Sequence, residues 1–229
     1  MREIEAEFPQ ANIEADRAVE EISRQFGLPL LSRGFTQVRD IYVDTENHYL
    51  LRHNLSLRVR RKLDNVYAGE GIRLTFKYPL EEHPDLFIRE ELKLKVSVFD
   101  FDRLVEFFGG LTHALLGEPA HMRLAVEETS KEFNLGEEGC VLNVSYDRVK
   151  FKHPHHPQKV HQVNYFELED HGIGIDRLLE IKDFVRERYG LSTSTESTYR
   201  YGLRALSLLP REGVLQDSRA RQNGRGGRS

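Results

Sequence analysis

Several stretches of this chain place charged side chains at every second position, and in most of them the sign is set by the stretch. Glu3, Glu5 and Glu7 alternate with Ile4, Ala6 and Phe8. Arg58 and Arg60 alternate with Leu57 and Val59, and Arg73, Thr75 and Lys77 share one face of Arg73-Leu-Thr-Phe-Lys. Arg89, Glu91, Lys93 and Lys95 form a mixed ladder. Asn143, Ser145 and Asp147 share a face, as do Glu167 and Glu169. A period of two belongs to a β-strand, so each set points to one side of a sheet. Like charges on one strand face repel, and a solvated sheet gains nothing from them. A closed space that binds a triphosphate against one wall and divalent cations against another needs such a pattern. Phosphate oxygens suit forked Arg donors and point-charge Lys. Magnesium and manganese suit carboxylate oxygens.

The positioning elements follow from the same periodicity. A strand over 1–8 precedes a helix over 10–26, where Ile13, Ala18, Val19, Ile22 and Phe26 fall on one stripe and Gly27 stops it. Strand patterns recur at 35–44, 55–63, 71–78, 87–96, 122–135, 139–151 and 160–169, mostly bounded by Gly, Pro, Asn or Asp. Further helices are expected at 98–108, 174–189 and 195–208. The count is eight strands with three or four helices and no internal repeat.

Bulk composition is consistent with this reading. Charged residues make up 31% of the 229 and hydrophobic ones 39%, which leaves charge to spare for an internal lining. A net charge of −4 gives no global field that would draw nucleic acid. A single cysteine, Cys140, excludes an internal disulfide and fits a reducing compartment. The start is not a signal peptide and no apolar run suits a membrane helix, so a cytoplasmic protein is expected. A main domain over 1–208 is expected, followed by a disordered basic tail over 209–229. Its last fourteen residues, from Gln216, include Arg219, Arg221, Arg225 and Arg228.

At these residues the chain resembles the CYTH superfamily, the triphosphate tunnel metalloenzymes. Glu3-Ile-Glu-Ala-Glu is similar to the family's Glu-x-Glu-x-Lys signature. Asp40-Ile-Tyr-Val-Asp-Thr with Leu50-Leu51, Leu55-Ser-Leu-Arg-Val-Arg-Arg, Arg73-Leu-Thr-Phe-Lys77 and Arg89-Glu-Glu91 resemble later segments, in the family's order. Ser145-Tyr-Asp-Arg-Val and Phe166-Glu-Leu-Glu169 complete the series. The resemblance implies an α+β fold, an eight-stranded antiparallel closed β-barrel flanked by helices. It implies Mg²⁺- or Mn²⁺-dependent hydrolysis of an inorganic or organic triphosphate. A non-catalytic polyphosphate- or nucleotide-binding module, or a class IV-type adenylate cyclase, are the alternatives. Carried over residue by residue, Glu3, Glu5, Glu167 and Glu169 would hold metal, with Asp147 and Glu91 assisting. Arg58, Arg60, Lys77 and Arg89 would bind phosphate, joined by Arg73, Lys131 and Arg200. Glu3, Glu5, Arg58, Arg60 and Lys77 form the expected catalytic set.

Three positions depart from the pattern. Glu7 stands where the signature has lysine, Thr129 and Lys131 where a Lys-x-Arg pair is usual, and Thr198 where a Ser-Lys element ends in lysine. The cluster from His153 to His161 contains two prolines and reads as an exposed hairpin connection. Gly109-Gly110 and Gly172-Ile-Gly lack the strand-to-helix setting of a nucleotide-binding loop. Tyr42 and Tyr146 read as packing residues.

Overall fold

The computed structural model describes residues 1–63, 72–96, 101–194 and 196–209. The expected tail lies largely outside these residues. Eight strands close an antiparallel barrel: β1 (Arg2–Pro9), β2 (Leu30–Thr45), β3 (Ser56–Lys62), β4 (Ile72–Glu82), β5 (Phe87–Val96), β6 (Ala120–Leu135), β7 (Leu142–His153) and β8 (His156–Asp170). Around the barrel the order is β1-β5-β4-β3-β2-β6-β7-β8. Five helices accompany them: α1 (Ala15–Phe26), α2 (Tyr49–Arg52), α3 (Phe101–Leu116), α4 (Ile175–Tyr189) and α5 (Thr198–Ala205). Among the described residues no helix is long and apolar enough to cross a membrane.

The barrel is polar inside, and its main apolar core lies outside the wall. Ile4, Ala6 and Phe8 of β1 pack with Phe166 and Leu168 of β8 and Val144 of β7. Ala18, Val19 and Ile22 of α1 and Leu178, Ile181 and Val185 of α4 cover them. The helices therefore bury the face that alternation marks as apolar, and the charged face turns inward. Gly27, at φ 65°, ends α1 in the left-handed conformation that favours glycine.

A second core closes part of one end. Tyr42, Val149, Phe151 and Tyr165 of the inner wall meet Tyr199, Tyr201 and Leu203 of α5. Tyr42 stacks on Tyr199 with ring centroids 5.0 Å apart. This end therefore holds a plug of aromatic rings.

The helix expected over 10–26 begins at Ala15 and the one expected over 195–208 spans Thr198–Ala205, and two further helices differ more. The helix expected at 98–108 runs from Phe101 to Leu116, through Gly109-Gly110. The close approach of Gly109 to the carbonyl of Ala120 accounts for the glycine, since a Cβ there would lie 2.9 Å from that oxygen. Phe107 of this helix is exposed. The four-residue α2 was not anticipated, because one turn carries no readable period. Buried Asp44 holds it by accepting from the amides of Leu50 at 2.8 Å and Leu51 at 3.0 Å.

Candidate functional site: a charged tunnel through the barrel

Residues paired across antiparallel strands point to the same face, so the register fixes the inner wall. Arg58 faces Thr75, Thr75 faces Lys93, Ser56 faces Lys77, and Lys77 faces Glu91. Glu3 faces Arg89 on β5, while Glu5 and Glu7 face Glu169 and Glu167 on β8. Asn143 and Ser145 continue the wall beside Glu169 and Glu167.

These side chains surround a cavity of about 180 Å³ at the barrel centre. It shares Ser56, Lys77, Arg89 and Ser197 with an opening of about 580 Å³ beside α5. It shares Arg60, Lys93, Glu132, Asn143 and Glu169 with an opening of about 720 Å³ at the other end. The barrel thus contains a tunnel with two mouths, despite the aromatic plug.

The cations form one side and are tied to buried carboxylates. Nε and Nη2 of Arg60 each donate to Asp40 at 2.8 Å, and Nη2 also donates to Glu128 at 3.1 Å. Arg58 lies 3.4 Å from Asp40 and 3.8 Å from Glu91. Lys77 donates to Glu3 at 2.8 Å, and Arg89 donates to Glu3 at 3.1 Å and contacts Glu5. Burial alone would raise the Glu3 carboxyl, but Lys77 and Arg89 outweigh it and hold it down at about 2. Asp40 is likewise held low, because Arg60 and Arg58 overcome its burial.

The opposite side has carboxylates in surplus. Glu3, Glu5, Glu7, Glu91, Glu128, Glu132, Asp147, Glu167 and Glu169 line the central cavity against Arg58, Arg60, Lys77, Arg89 and Lys93. Burial followed by repulsion from Glu167 pushes the Glu7 carboxyl well above its ordinary range. Burial together with Asp147 and Glu128 does the same to Glu167. Burial and Glu128 lift Asp147 to about 7, although the Ser145 hydroxyl donates to it at 2.7 Å. Among the described residues, Glu7 Oε2 and Asp147 Oδ1 are buried without a hydrogen-bond partner. Orphaned, mutually repelling oxygens of this hard type fit a divalent cation. Among the described residues no three such groups already close on one point. That openness suits a cation that keeps waters and phosphate oxygens as its remaining ligands.

The structure brings together Glu3, Glu5, Arg58, Arg60, Lys77, Arg89, Glu91, Asp147, Glu167 and Glu169. Arg73 lies further out, at the 720 Å³ opening. Arg200 sits at the rim of the other, donating to the Leu51 carbonyl at 3.1 Å. Lys131 does not reach the tunnel: it is exposed outside the barrel, 3.3 Å from Asp16 of α1. Thr129 shares its outward face, so β6 presents Glu128, Ser130 and Glu132 to the interior instead. Thr198 does line the tunnel, with Ser197 and Tyr199. Asp40, Glu128 and Glu132 were not among the residues expected at the site. Period-two spacing with Tyr42 was the available signal for Asp40. The histidines at 153–156 form a tight hairpin turn, with His155 and His156 exposed. Tyr146 packs as expected, donating to the Ala11 carbonyl at 3.3 Å, whereas Tyr42 stacks on Tyr199 and also lines the tunnel.

The CYTH domain pattern matches residues 1–201. The chain belongs to the CYTH family. Among curated proteins, none matches it significantly. Solved structures share the CYTH barrel at low identity. The PH1819 protein of Pyrococcus horikoshii OT3 is 19% identical with a TM-score of 0.58, over 88% of this chain and 98% of that one. A putative adenylyl cyclase from Hippeastrum, described as revealing a dominant triphosphatase activity, is 14% identical with a TM-score of 0.57, over 93% and 99%. These likenesses establish the shared CYTH fold.

Proposed function

We propose that this CYTH chain binds a triphosphate in its tunnel and hydrolyses it with the help of a divalent cation, Mg²⁺ or Mn²⁺. The observation that carries the reading is the division of the inner wall, with Arg58, Arg60, Lys77 and Arg89 on β3–β5 across from Asp147, Glu167 and Glu169 on β7 and β8, and with Glu5 and Glu7 of β1 between the two sides. The four cations would grip the phosphate oxygens. Burial strengthens those contacts, because water is largely excluded. Asp40 would hold the Arg60 fork in place, leaving the Nη1 edge free for substrate. Glu5, Glu7, Asp147, Glu167 and Glu169 would hold the cation, whose contribution when bound is Lewis-acid polarisation of the phosphoanhydride. Both oxygens of Glu3 are engaged, by Lys77 and by Arg89, which makes it an orienting group for those cations, whereas Glu5 meets Arg89 through Oε1 alone.

The test is phosphate release from tripolyphosphate and from several nucleoside triphosphates with Mg²⁺ or Mn²⁺. Arg58→Ala should lower kcat/KM by about 100-fold, the usual cost of one buried electrostatic donor. Equal rates for the two proteins would refute the assignment. Glu7 favours a second reading, a module that binds the anion without turning it over, because it puts a carboxyl where the family signature has a lysine. That reading predicts a raised Tm with tripolyphosphate and no phosphate release.

A further inference from the structure

Lysine is almost never fully buried unless it is paired, and Lys182 of α4 is 2% exposed. It lies outside the barrel wall, on the helix whose Leu178, Ile181 and Val185 cover β1 and β8. Its Nζ donates to Asp85 Oδ2 at 2.8 Å and lies 3.1 Å from Asp183. Thr193, beyond the end of α4, donates to the other oxygen of Asp85 at 3.4 Å. An apolar residue of similar volume would fill the same space without the cost of burying a charge. What the pair adds is direction, because it holds one carboxylate at one place. Asp85 belongs to the turn between β4 and β5, and the His83 ring closes that turn by accepting from the amides of Asp85 and Leu86 at 3.1 Å each. Phe87 then opens β5, facing Glu5 across the ladder on the inward row that continues to Arg89. The Arg89 guanidinium lies over the Phe87 ring, with Cζ 4.6 Å from the centroid. Glu3 holds the same group by its edge at 3.1 Å, so Phe87 and Glu3 together fix its plane.

We propose that Lys182 is a positioning residue for Arg89, acting through Asp85 and Phe87. Anchoring Asp85 fixes the turn from which Phe87 enters the mouth beside α5, and the Phe87 ring sets the plane in which Arg89 meets phosphate oxygens. The inference rests on the reading of Arg89 as part of the phosphate grip. A guanidinium presents its donors as a rigid planar fork, so a tilt of that plane misdirects them. His83 and Phe87 line the 580 Å³ opening, and Arg89 lines both that opening and the central cavity, so the relay ends where the substrate is held. Arg58 and Arg60 are oriented differently, by Asp40 within the wall itself.

Calorimetry with tripolyphosphate in the presence of Mg²⁺, well below the Tm of each protein, tests the relay. Lys182→Met should weaken binding about tenfold relative to the wild-type chain, the scale of one misdirected charge-assisted hydrogen bond. Asp85→Asn, at a half-buried side chain, should do the same, and it carries the test if Lys182→Met does not fold. In an Arg89→Ala background each substitution should change the affinity by less than about twofold, because its effect passes through Arg89. A role confined to packing would instead lower the Tm and weaken binding by the same factor in both backgrounds. Unchanged affinity in the single variants, or an equal loss in both backgrounds, overturns the relay and leaves the triphosphate reading intact. Failure of the wild-type chain to bind tripolyphosphate overturns that reading, and the relay with it.

Discussion

Glu7 of β1 and Glu167 of β8 stand directly opposite one another inside the barrel, a buried and a half-buried carboxylate across a single ladder. Asp147 adds a third negative group that raises both. Facing like charges cost stability, so the arrangement is tolerable where protons or a cation neutralise it. Glu7 thus extends the acidic wall at the position where the CYTH signature is expected to carry lysine.

Removing one of these charges should therefore have opposite effects with and without metal. Glu7→Gln is expected to raise the metal-free Tm by about 2–4 °C, corresponding to roughly 1 kcal/mol of relieved repulsion. It should also remove at least half of the Tm increase that Mn²⁺ gives the wild-type chain. Equal Mn²⁺ increments in the two proteins would exclude Glu7 from the cation site.

The same cluster sets a pH dependence. Glu7, Glu167 and Asp147 hold protons in the folded chain that unfolding releases, because their folded pKa values lie above the ordinary carboxylate range. Their contribution to metal-free stability therefore falls as pH rises from about 4 to about 7. Glu3 and Asp40 act in the other direction and lower down. Their depressed pKa values add stability that is present above about pH 4 and lost as pH falls toward their folded values. Thermal melts in EDTA should thus decline from about pH 5 to pH 7, while the increment from Mn²⁺ grows over that range. A rising EDTA profile would contradict the assignment.

Asp40 holds the basic wall. It accepts both forks of Arg60 at 2.8 Å, lies 3.4 Å from Arg58 and is buried. Asp40→Asn would leave buried guanidinium charge under-compensated, at a cost of about 3 kcal/mol or a Tm lower by roughly 6–12 °C. Tripolyphosphate should restore part of that loss, since it supplies the missing negative charge. A Tm change below about 2 °C would mean that Asp40 does not bear on the arginines.

Which parts of this site were legible depended on whether a strand has one apolar face. Ile4, Ala6 and Phe8 on β1, or Leu57 and Val59 on β3, give the alternation a phase, so the charged face is assigned without ambiguity. On β6 the run Glu127-Glu128-Thr129-Ser130-Lys131-Glu132 is polar on both faces. It pairs outside with α1, where Asp16 takes Lys131, and inside with Arg60, which takes Glu128. Spacing alone offers no phase there, so the outward Thr129 and Lys131 read as the wall. Barrel closure is likewise a long-range property. It rests on β1 meeting both β5 and β8, and no local pattern within β1 states that.

The aromatic plug depends on a residue without a side chain. Gly202 of α5 lies flat against the inner wall, and a Cβ there would stand 2.6 Å from Leu124 Cδ2 and 2.7 Å from Phe151 Cε1. Helix propensity predicts that Gly202→Ala stabilises α5 by up to about 1 kcal/mol. Packing predicts the opposite sign, because Leu124 and Phe151 are fully buried and cannot withdraw freely. Overpacking of this kind costs about 1–3 kcal/mol, so the variant should melt roughly 2–12 °C lower. The displacement would also shift Ser197, Thr198 and Tyr199, which line the tunnel, so tripolyphosphate should bind more weakly than to the wild-type chain. A variant that melts higher would show that α5 does not pack on this wall, and that the plug is formed in another way.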